Sequence, residues 1–456
     1  MNLLQKLRET SLDFSIATLN FLANIGIVLP YVLILFKYQQ THSTTYLIAI
    51  IVFYVARAAS IFSTKRLNLK SSTYLMLCLW LGVIGSAIYS VTSSLPWLVI
   101  GALCLGYTSA NIWPYYLTIK LHLTSHTDFK LKRLYWLIFG VLGLLFVADF
   151  AFDLHYRLAF VILGALFLIA LPAGRLLNQF SMAFYHEQSS SDRQPVKLWR
   201  VLVFIVFFAL IGLLTLLRKI SLTIALPYVL GIVILAIILL NLELAADWKA
   251  MPANKLRIVN RGFLVSFVLL FNSFFGYFVL GKNGMYLIFA IYLIGFEGGQ
   301  PLYATLAHHI SAQAKKLAQW GLILGHLLAL TTIPALYIIG LLLIALYVGY
   351  ENPAINTSVY TADENDPDLA IINKYRFSTY GGLLCQLSLF GLLVLVSGWQ
   401  HLSLMQFFNP STAVLKLTYL HAVAWPLLLI SLLLSIITIY GQQYFKPSHP
   451  SQSHSN

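Results

Sequence analysis

One acidic side chain, Glu297, lies inside an apolar run that reads LIGFEGGQPLY from Leu293 to Tyr303. An ionisable group at membrane depth is costly and usually faces the interior of a helical bundle or a wet cavity. A carboxyl group in such a place can exchange protons or bind a substrate, and Gln300 adds a polar group one helical turn later. The alternative is a structural glutamate paired with a cation such as Arg57.

Two further polar side chains flank Pro114 in another apolar run. Asn111 and Tyr115 could line a cavity and form hydrogen bonds to a polar substrate. Alternatively, Tyr115 belongs with Trp113 and Tyr116 to an aromatic belt at the membrane surface, where such rings are enriched.

A third polar position, Asn24, lies four residues after Asn20, so the two share one face of a helix. They could equally form hydrogen bonds between helices. The substrate- or proton-binding residues that we expect are therefore Glu297, Gln300, Asn111, Tyr115 and Asn24.

Several acidic residues cluster between 350 and 378, which suggests a different chemistry. Asp363, Glu364, Asp366 and Asp368 could hold a metal or act as the carboxylates of a membrane enzyme. Elsewhere the sequence has neither a phosphate-binding loop nor a metalloprotease motif, and its three cysteines lack metal-ligand spacing. We expect no cofactor and no metal.

The elements that position these residues must be membrane helices. Of the 456 residues, 59% are hydrophobic and only 10% are charged, whereas soluble domains carry roughly a quarter charged residues. The net charge of +14 comes mainly from Lys and Arg in short loops between apolar runs, which argues against a nucleic-acid partner. The sequence predicts an all-α, polytopic helical bundle in a lipid bilayer.

Thirteen stretches are long and apolar enough to cross a bilayer, which takes about 20 residues. They are 15–36, 46–63, 73–92, 96–119, 134–152, 157–177, 200–217, 221–242, 262–281, 285–308, 319–349, 379–398 and 417–440. We expect 319–349 to be one tilted or kinked span, with Pro334 at the kink.

The alternation of basic loops sets the predicted orientation. Lys and Arg are concentrated in every second loop, which places the N-terminus in the cytoplasm. Residues 350–378 then form an acidic outer loop. Thirteen spans put the C-terminus outside, whereas it lies inside if one span is misread.

Composition also predicts the domain organisation. A polar linker, 178–199, separates a six-span bundle at 1–177 from a second bundle at 200–441 that includes the acidic loop, and a polar tail follows at 442–456. The fourth span, with Gly106 and Pro114, is similar to the run 285–308, with Gly295 and Pro301. We interpret these two spans as equivalent parts of an internal repeat.

Six spans, a polar linker and six more spans, with an opening span FLANIGIVLPYVLILF, resemble the major facilitator superfamily of transporters. That family has a basic loop between spans two and three, matched here by Lys65, Arg66 and Lys70. The Asp and glycines of that signature are absent. The resemblance implies two pseudo-symmetric six-helix halves. The thirteen apolar stretches add an extra C-terminal span, which departs from the twelve-span plan of that family, so we expect 12–13 transmembrane helices.

These observations favour a secondary active transporter, a permease of the cell membrane. It would move a small molecule by alternating access, with protons as the candidate coupling ion. The alternative is a membrane enzyme or flippase that acts on lipid-linked saccharide precursors.

Overall fold

The computed structural model describes most of the predicted membrane spans. The described residues are 3–24, 29–41, 43–67, 71–126, 137–138, 140–142, 156–184, 234–235, 238, 241–242, 244, 252–272, 275, 282–310, 313–331, 333–362, 367–401 and 418–444. Within these ranges the regular structure is helical, without strands. The chain is a polytopic helical membrane bundle, as its composition predicts.

The chain divides into two compact units. The first unit comprises Met1–Lys219 and Asp363–Tyr375, and the second comprises Ile220–Ala362 and Arg376–Asn456. Six described helices are long and apolar enough to cross a membrane, and both units contain some of them. In lipid, backbone N–H and C=O groups cannot form hydrogen bonds to water, so they form these bonds within each helix.

Six helices belong to the first unit. They are α1 (Leu3–Asn24), α2 (Leu29–Thr41), α3 (Thr44–Leu67), α4 (Ser71–Val91), α5 (Leu95–His126) and α6 (Tyr156–Phe184). Helix α5 packs against α1, α3 and α4, and helix α6 packs against α1 and α4. A side chain at Gly106 would meet the Phe53 carbonyl oxygen at 2.6 Å, so this glycine lets α5 approach the backbone of α3.

The helices of the second unit follow a polar segment. They are α7 (Pro252–Ser266), α8 (Lys282–His309), α9 (Ala314–Leu330), α10 (Pro334–Ala362), α11 (Pro367–Gln400) and α12 (Trp425–Tyr444). Helix α10 packs against α7, α8 and α9, and helix α12 packs against α7 and α9. Helix α11 begins in the first unit and continues into the second.

Two π-helical turns extend α7 and precede α12. They are Phe267–Phe271 and Leu420–Ala424. At the end of the first turn, the side-chain amide of Asn272 donates to the Phe267 carbonyl at 2.8 Å, and the Tyr337 hydroxyl donates to Asn272 Oδ1. The aromatic ring of Phe271 stacks on Tyr419, with 6.2 Å between the centroids.

The predicted single span 319–349 is wrong. Helix α9 ends at Leu330 and α10 begins at Pro334, and the two helices pack against each other. Proline is favoured in the first turn of a helix, where its missing N–H is not needed. The residue that we expected to kink one helix therefore starts another, and the number of expected spans rises from thirteen to fourteen.

The predicted acidic loop 350–378 is also wrong. Helix α10 continues to Ala362, and α11 begins at Pro367. Glu351, Lys374 and Arg376, which we assigned to this loop, are each 1% exposed within helices.

Some predicted features lie mostly or wholly outside the described residues. They are the linker 178–199, the spans 134–152, 200–217 and 221–242, and the tail 442–456. The first predicted span, 15–36, falls on α1 and α2, between which 25–28 are likewise outside the described part. The division into domains stays a prediction.

The packing gives a different internal repeat from the one that we predicted. Helix α5 contacts α1, α3 and α4, just as α10 contacts α7, α8 and α9, and α6 and α12 complete the same pattern. Helix α8 therefore corresponds to α3, whereas the sequence comparison paired it with α5.

Candidate functional site

Glu297 and Gln300 lie on the exposed part of α8 within the second unit. The helix turns by about 100° per residue, so Glu297 points away from Gly295 and Gly299, which face α10. Gln300 lies three residues further on and shares the side of Glu297. The structure thus brings these two predicted site residues together on one surface.

Glycines fix the orientation of that surface. A Cβ atom at Gly295 would overlap Ala345, and one at Gly299 would overlap the Leu346 carbonyl oxygen. On the facing helix, a Cβ atom at Gly349 would overlap the Phe296 carbonyl oxygen. The α8 and α10 backbones therefore touch, as small residues permit in membrane helices, and Glu297 is held on the opposite side.

Arg261 lies on α7 next to the same part of α8. Its side chain is only 7% exposed, and its guanidinium carbon is 6.0 Å from the centroid of the Phe296 ring. The Tyr292 ring stacks on the Phe296 ring, with 5.6 Å between the centroids, and Glu297 directly follows Phe296 in the chain. Arg261, Tyr292, Phe296 and Glu297 therefore form one polar and aromatic group on α7 and α8.

A buried ion pair joins α7 to α10. Arg257 Nη2 donates to Glu351 Oε2 at 2.7 Å, and Arg257 Nε donates to the same oxygen at 3.1 Å. Glu351 is 1% exposed, and its other oxygen, Oε1, has no hydrogen-bond partner among the described residues. Charges in such surroundings need a partner because burial removes their hydration.

Sequence reasoning missed this pair and Arg261. The predicted spans leave both arginines in the loop between 221–242 and 262–281, and they leave Glu351 in the acidic loop 350–378. The available signal is the spacing of Arg257 and Arg261, which are four residues apart and so share a helix face. Nothing in the sequence connects that face to Glu351, which lies 94 residues further along the chain.

In the first unit, Asn24 belongs to a small polar cluster between α1 and α5. Its side-chain amide donates to the Asn20 carbonyl at 2.8 Å and lies 3.4 Å from Asn20 Oδ1. The Tyr116 hydroxyl donates to Asn20 Oδ1 at 3.2 Å. Asn24 is half-buried, so it forms the more accessible edge of this cluster.

Asn111 and Tyr115 are buried more deeply in α5. The amide of Asn111 donates to the Tyr107 carbonyl at 2.9 Å, and Asn111 Oδ1 has no partner in the described part of the chain. The Tyr115 ring stacks on Tyr74, with centroids 4.7 Å apart. Since Tyr115 and Tyr116 are at most 2% exposed, these two rings do not form a belt at the membrane surface.

The predicted site residues therefore form two sets. Glu297 and Gln300 belong to the second unit, and Asn24, Asn111 and Tyr115 belong to the first. Their assignment to one binding site stays a prediction.

No protein-family model and no curated protein sequence matches the chain. Among solved structures, a POT family transporter in complex with 5-aminolevulinic acid matches with a TM-score of 0.57 at 12% identity, covering 96% of each chain. Peptide transporter POT in complex with sulfate matches at 0.56 and 11% identity, covering 95% of this chain and 94% of that one.

A mutant form of the nucleoside transporter NupG matches with a lower TM-score of 0.46 at 12% identity, covering 96% of this chain and 100% of that one. At such identities the likeness to the POT structures concerns the fold alone. The chain shares the fold of these POT structures.

Proposed function

We propose that the protein is a secondary active transporter that moves a small molecule across the membrane by alternating access. The main support is the repeated packing of helices, in which α1, α3, α4, α5 and α6 correspond to α7, α8, α9, α10 and α12. Transporters that alternate between two open states are commonly built from such repeats, which move against each other around a central site.

Glu297 is the proposed coupling or substrate-binding residue, and Gln300, Asn111, Tyr115 and Asn24 contribute further polar groups. Glu297 is exposed on α8, on the side away from α10. A carboxylate that faced lipid at this depth would be costly. Glu297 and Gln300 together place two polar groups on this exposed side of α8, which supports a role in coupling or substrate binding.

The alternative of an enzyme for lipid-linked saccharides relied on the acidic residues of an outer loop at 350–378. Asp363, Glu364 and Asp366 lie outside the described residues, whereas Asp368 belongs to α11. Glu351 lies within α10 and pairs with Arg257. Because the chain shares its fold with POT structures, we propose transport.

Uptake by reconstituted protein tests this function. The full-length protein in proteoliposomes would be given a panel of radiolabelled solutes, with and without an inward pH gradient. We expect saturable uptake of at least one solute class, accelerated by acid outside. If no solute accumulates above the level in protein-free liposomes, the proposal is wrong.

The role of Glu297 gives a prediction of its own. Because glutamine keeps the size of the side chain but cannot release a proton, Glu297→Gln should remove the acceleration of uptake by the pH gradient. The matched control is Asp13→Asn on α1, which should keep the acceleration. Unchanged pH dependence in Glu297→Gln would exclude this carboxylate as the coupling group.

A further inference from the structure

Arg261 is a buried cation without an acidic partner in the described part of the chain. Its side chain is 7% exposed, and its Nε atom has no hydrogen-bond partner among those residues. A buried charge is costly unless something compensates it.

The neighbouring arginine shows how this fold neutralises such a charge. Arg257 lies one turn earlier on the same helix and bonds to Glu351. Glu351 and Glu297 are the only acidic residues in α7, α8, α9 and α10. Glu351 is engaged by Arg257, and Glu297 makes no ion pair with Arg261 in the described structure. No carboxylate in these four helices therefore forms an ion pair with Arg261.

The surroundings of Arg261 hold its guanidinium group in place. The Phe296 ring lies 6.0 Å from its central carbon, which is within the range of a cation–π interaction. The Phe296 ring in turn stacks on the ring of Tyr292, with 5.6 Å between the centroids. Such an arrangement keeps the N–H groups of an arginine available without neutralising its charge.

We propose that Arg261 binds the anionic group, a carboxylate or a phosphate, of a soluble organic substrate. The guanidinium group matches both groups with two parallel N–H bonds, which a lysine cannot provide. This inference rests on the proposed transport function, because it makes the bound anion the transported solute. It adds a substrate class to that function.

Binding can be measured without transport. The full-length protein in uncharged maltoside micelles would be heated with inorganic phosphate, succinate, choline or mannitol at constant ionic strength, and its apparent Tm recorded. We expect phosphate or succinate to raise the Tm in a saturable way, whereas choline and mannitol leave it unchanged. A lack of stabilisation by either anion, or equal stabilisation by all four solutes, would overturn the proposal.

Variants assign the effect to Arg261. Because a charge-assisted hydrogen bond contributes about 1.5–3 kcal/mol, Arg261→Gln should raise the half-saturating anion concentration about 10- to 100-fold. The control Lys316→Gln removes an exposed cation of α9 and should leave that concentration unchanged. If Arg261→Gln binds anions as well as the unmodified protein does, the assignment is wrong.

Two other variants test the anion site in case Arg261→Gln does not fold. Arg261→Lys keeps the charge but loses the paired N–H geometry, and Phe296→Leu removes the ring beneath the guanidinium group. Both should weaken anion binding severalfold while the ligand-free protein stays folded. Unchanged anion binding in both variants contradicts the proposal.

Uptake and lipid experiments separate the remaining outcomes. If the protein transports only neutral or cationic solutes, and Arg261→Gln does so equally, the anion site is wrong while transport stands. If anions bind through Arg261 but no solute is transported, the site stands and the proposed function fails. If phosphatidylglycerol alone stabilises the protein through Arg261, the anion is a lipid headgroup and the substrate assignment is wrong.

Discussion

At the scale of single residues, the Arg257–Glu351 ion pair is a strong local constraint. Both hydrogen bonds of Arg257 go to one oxygen of a carboxylate that is 1% exposed. The pair joins α7 to α10. In the repeat these helices correspond to α1 and α5, which are joined by the hydrogen bond between Tyr116 and Asn20. Each unit therefore has a polar link between its corresponding helices.

Breaking this pair should destabilise the fold. Each single substitution leaves the other charge buried without a partner. Arg257→Gln and Glu351→Gln should therefore each reduce the free energy of unfolding by about 3–5 kcal/mol. The double variant should lose less than the sum of the two. Denaturant unfolding of the protein in micelles measures this, with Lys316→Gln as control. Strict additivity would show that the two side chains do not interact.

At the scale of elements, the contact between α8 and α10 depends on particular glycines. A Cβ atom at Gly299 would overlap the Leu346 carbonyl, whereas one at Gly298 would have its nearest neighbour, Leu346 Cδ2, at 3.8 Å. Two adjacent glycines of the same helix thus differ in what they permit. Gly299 allows the helices to touch, and Gly298 has room for a methyl group.

A pair of alanine substitutions tests that difference. Gly299→Ala should push the helices apart and cost about 1–3 kcal/mol, as overpacking of a core does. Gly298→Ala should be neutral or slightly stabilising, because alanine is favoured over glycine in a helix by about 1 kcal/mol. Thermal unfolding monitored by fluorescence compares them. Equal effects at both positions would contradict the packing of α8 on α10.

The break between α9 and α10 is another feature of this scale. The sequence there, LALTTIPALYII, is apolar on both sides of two threonines and a proline. In the sequence, a proline marks this connection, but a run of about 31 apolar residues also suits one tilted helix, which is why one span was predicted. The mutual packing of α9 and α10 resolves that ambiguity.

At the scale of the whole molecule, the packing of the helices defines the register of the internal repeat. Gly106 approaches the Phe53 carbonyl, and Gly349 approaches the Phe296 carbonyl. Gly106 and Gly349 are 243 positions apart, as are Phe53 and Phe296. In this register Glu297 corresponds to Tyr54, so the carboxylate occurs in one half only. That asymmetry suits a coupling or substrate-binding group better than a packing feature common to both halves.

The additional helix changes the predicted sidedness. If the N-terminus lies in the cytoplasm, as the sequence predicts, fourteen spans would return the C-terminus to that side, and the connection between Ala362 and Pro367 would face the cytoplasm instead of the outside. In a protein without its three native cysteines, Thr331→Cys should react with an impermeant maleimide in intact cells. Asp363→Cys should react only after permeabilisation.

A matched control accompanies these two labels. Gln313→Cys, between α8 and α9, is expected inside with either number of spans, so it should also require permeabilisation. Labelling of Asp363→Cys in intact cells would show that this segment lies outside, as the count of thirteen spans predicts.

The sequence by itself determined the class of the protein and the presence of most described helices. Long apolar runs with few charges can only be membrane spans, and this property is local to each run. It also identified Glu297 as unusual, because one carboxylate in an apolar run can be recognised without knowing its neighbours.

Only the tertiary structure decided which surfaces of the helices meet. In lipid, both the buried and the lipid-facing surfaces are apolar, so the periodicity that distinguishes them in soluble proteins is weak. The pairing of α8 with α10, the burial of Arg261 and the bond from Arg257 to Glu351 all depend on contacts between distant segments. Those contacts are set by the packing of the whole unit, which no single stretch of the sequence encodes.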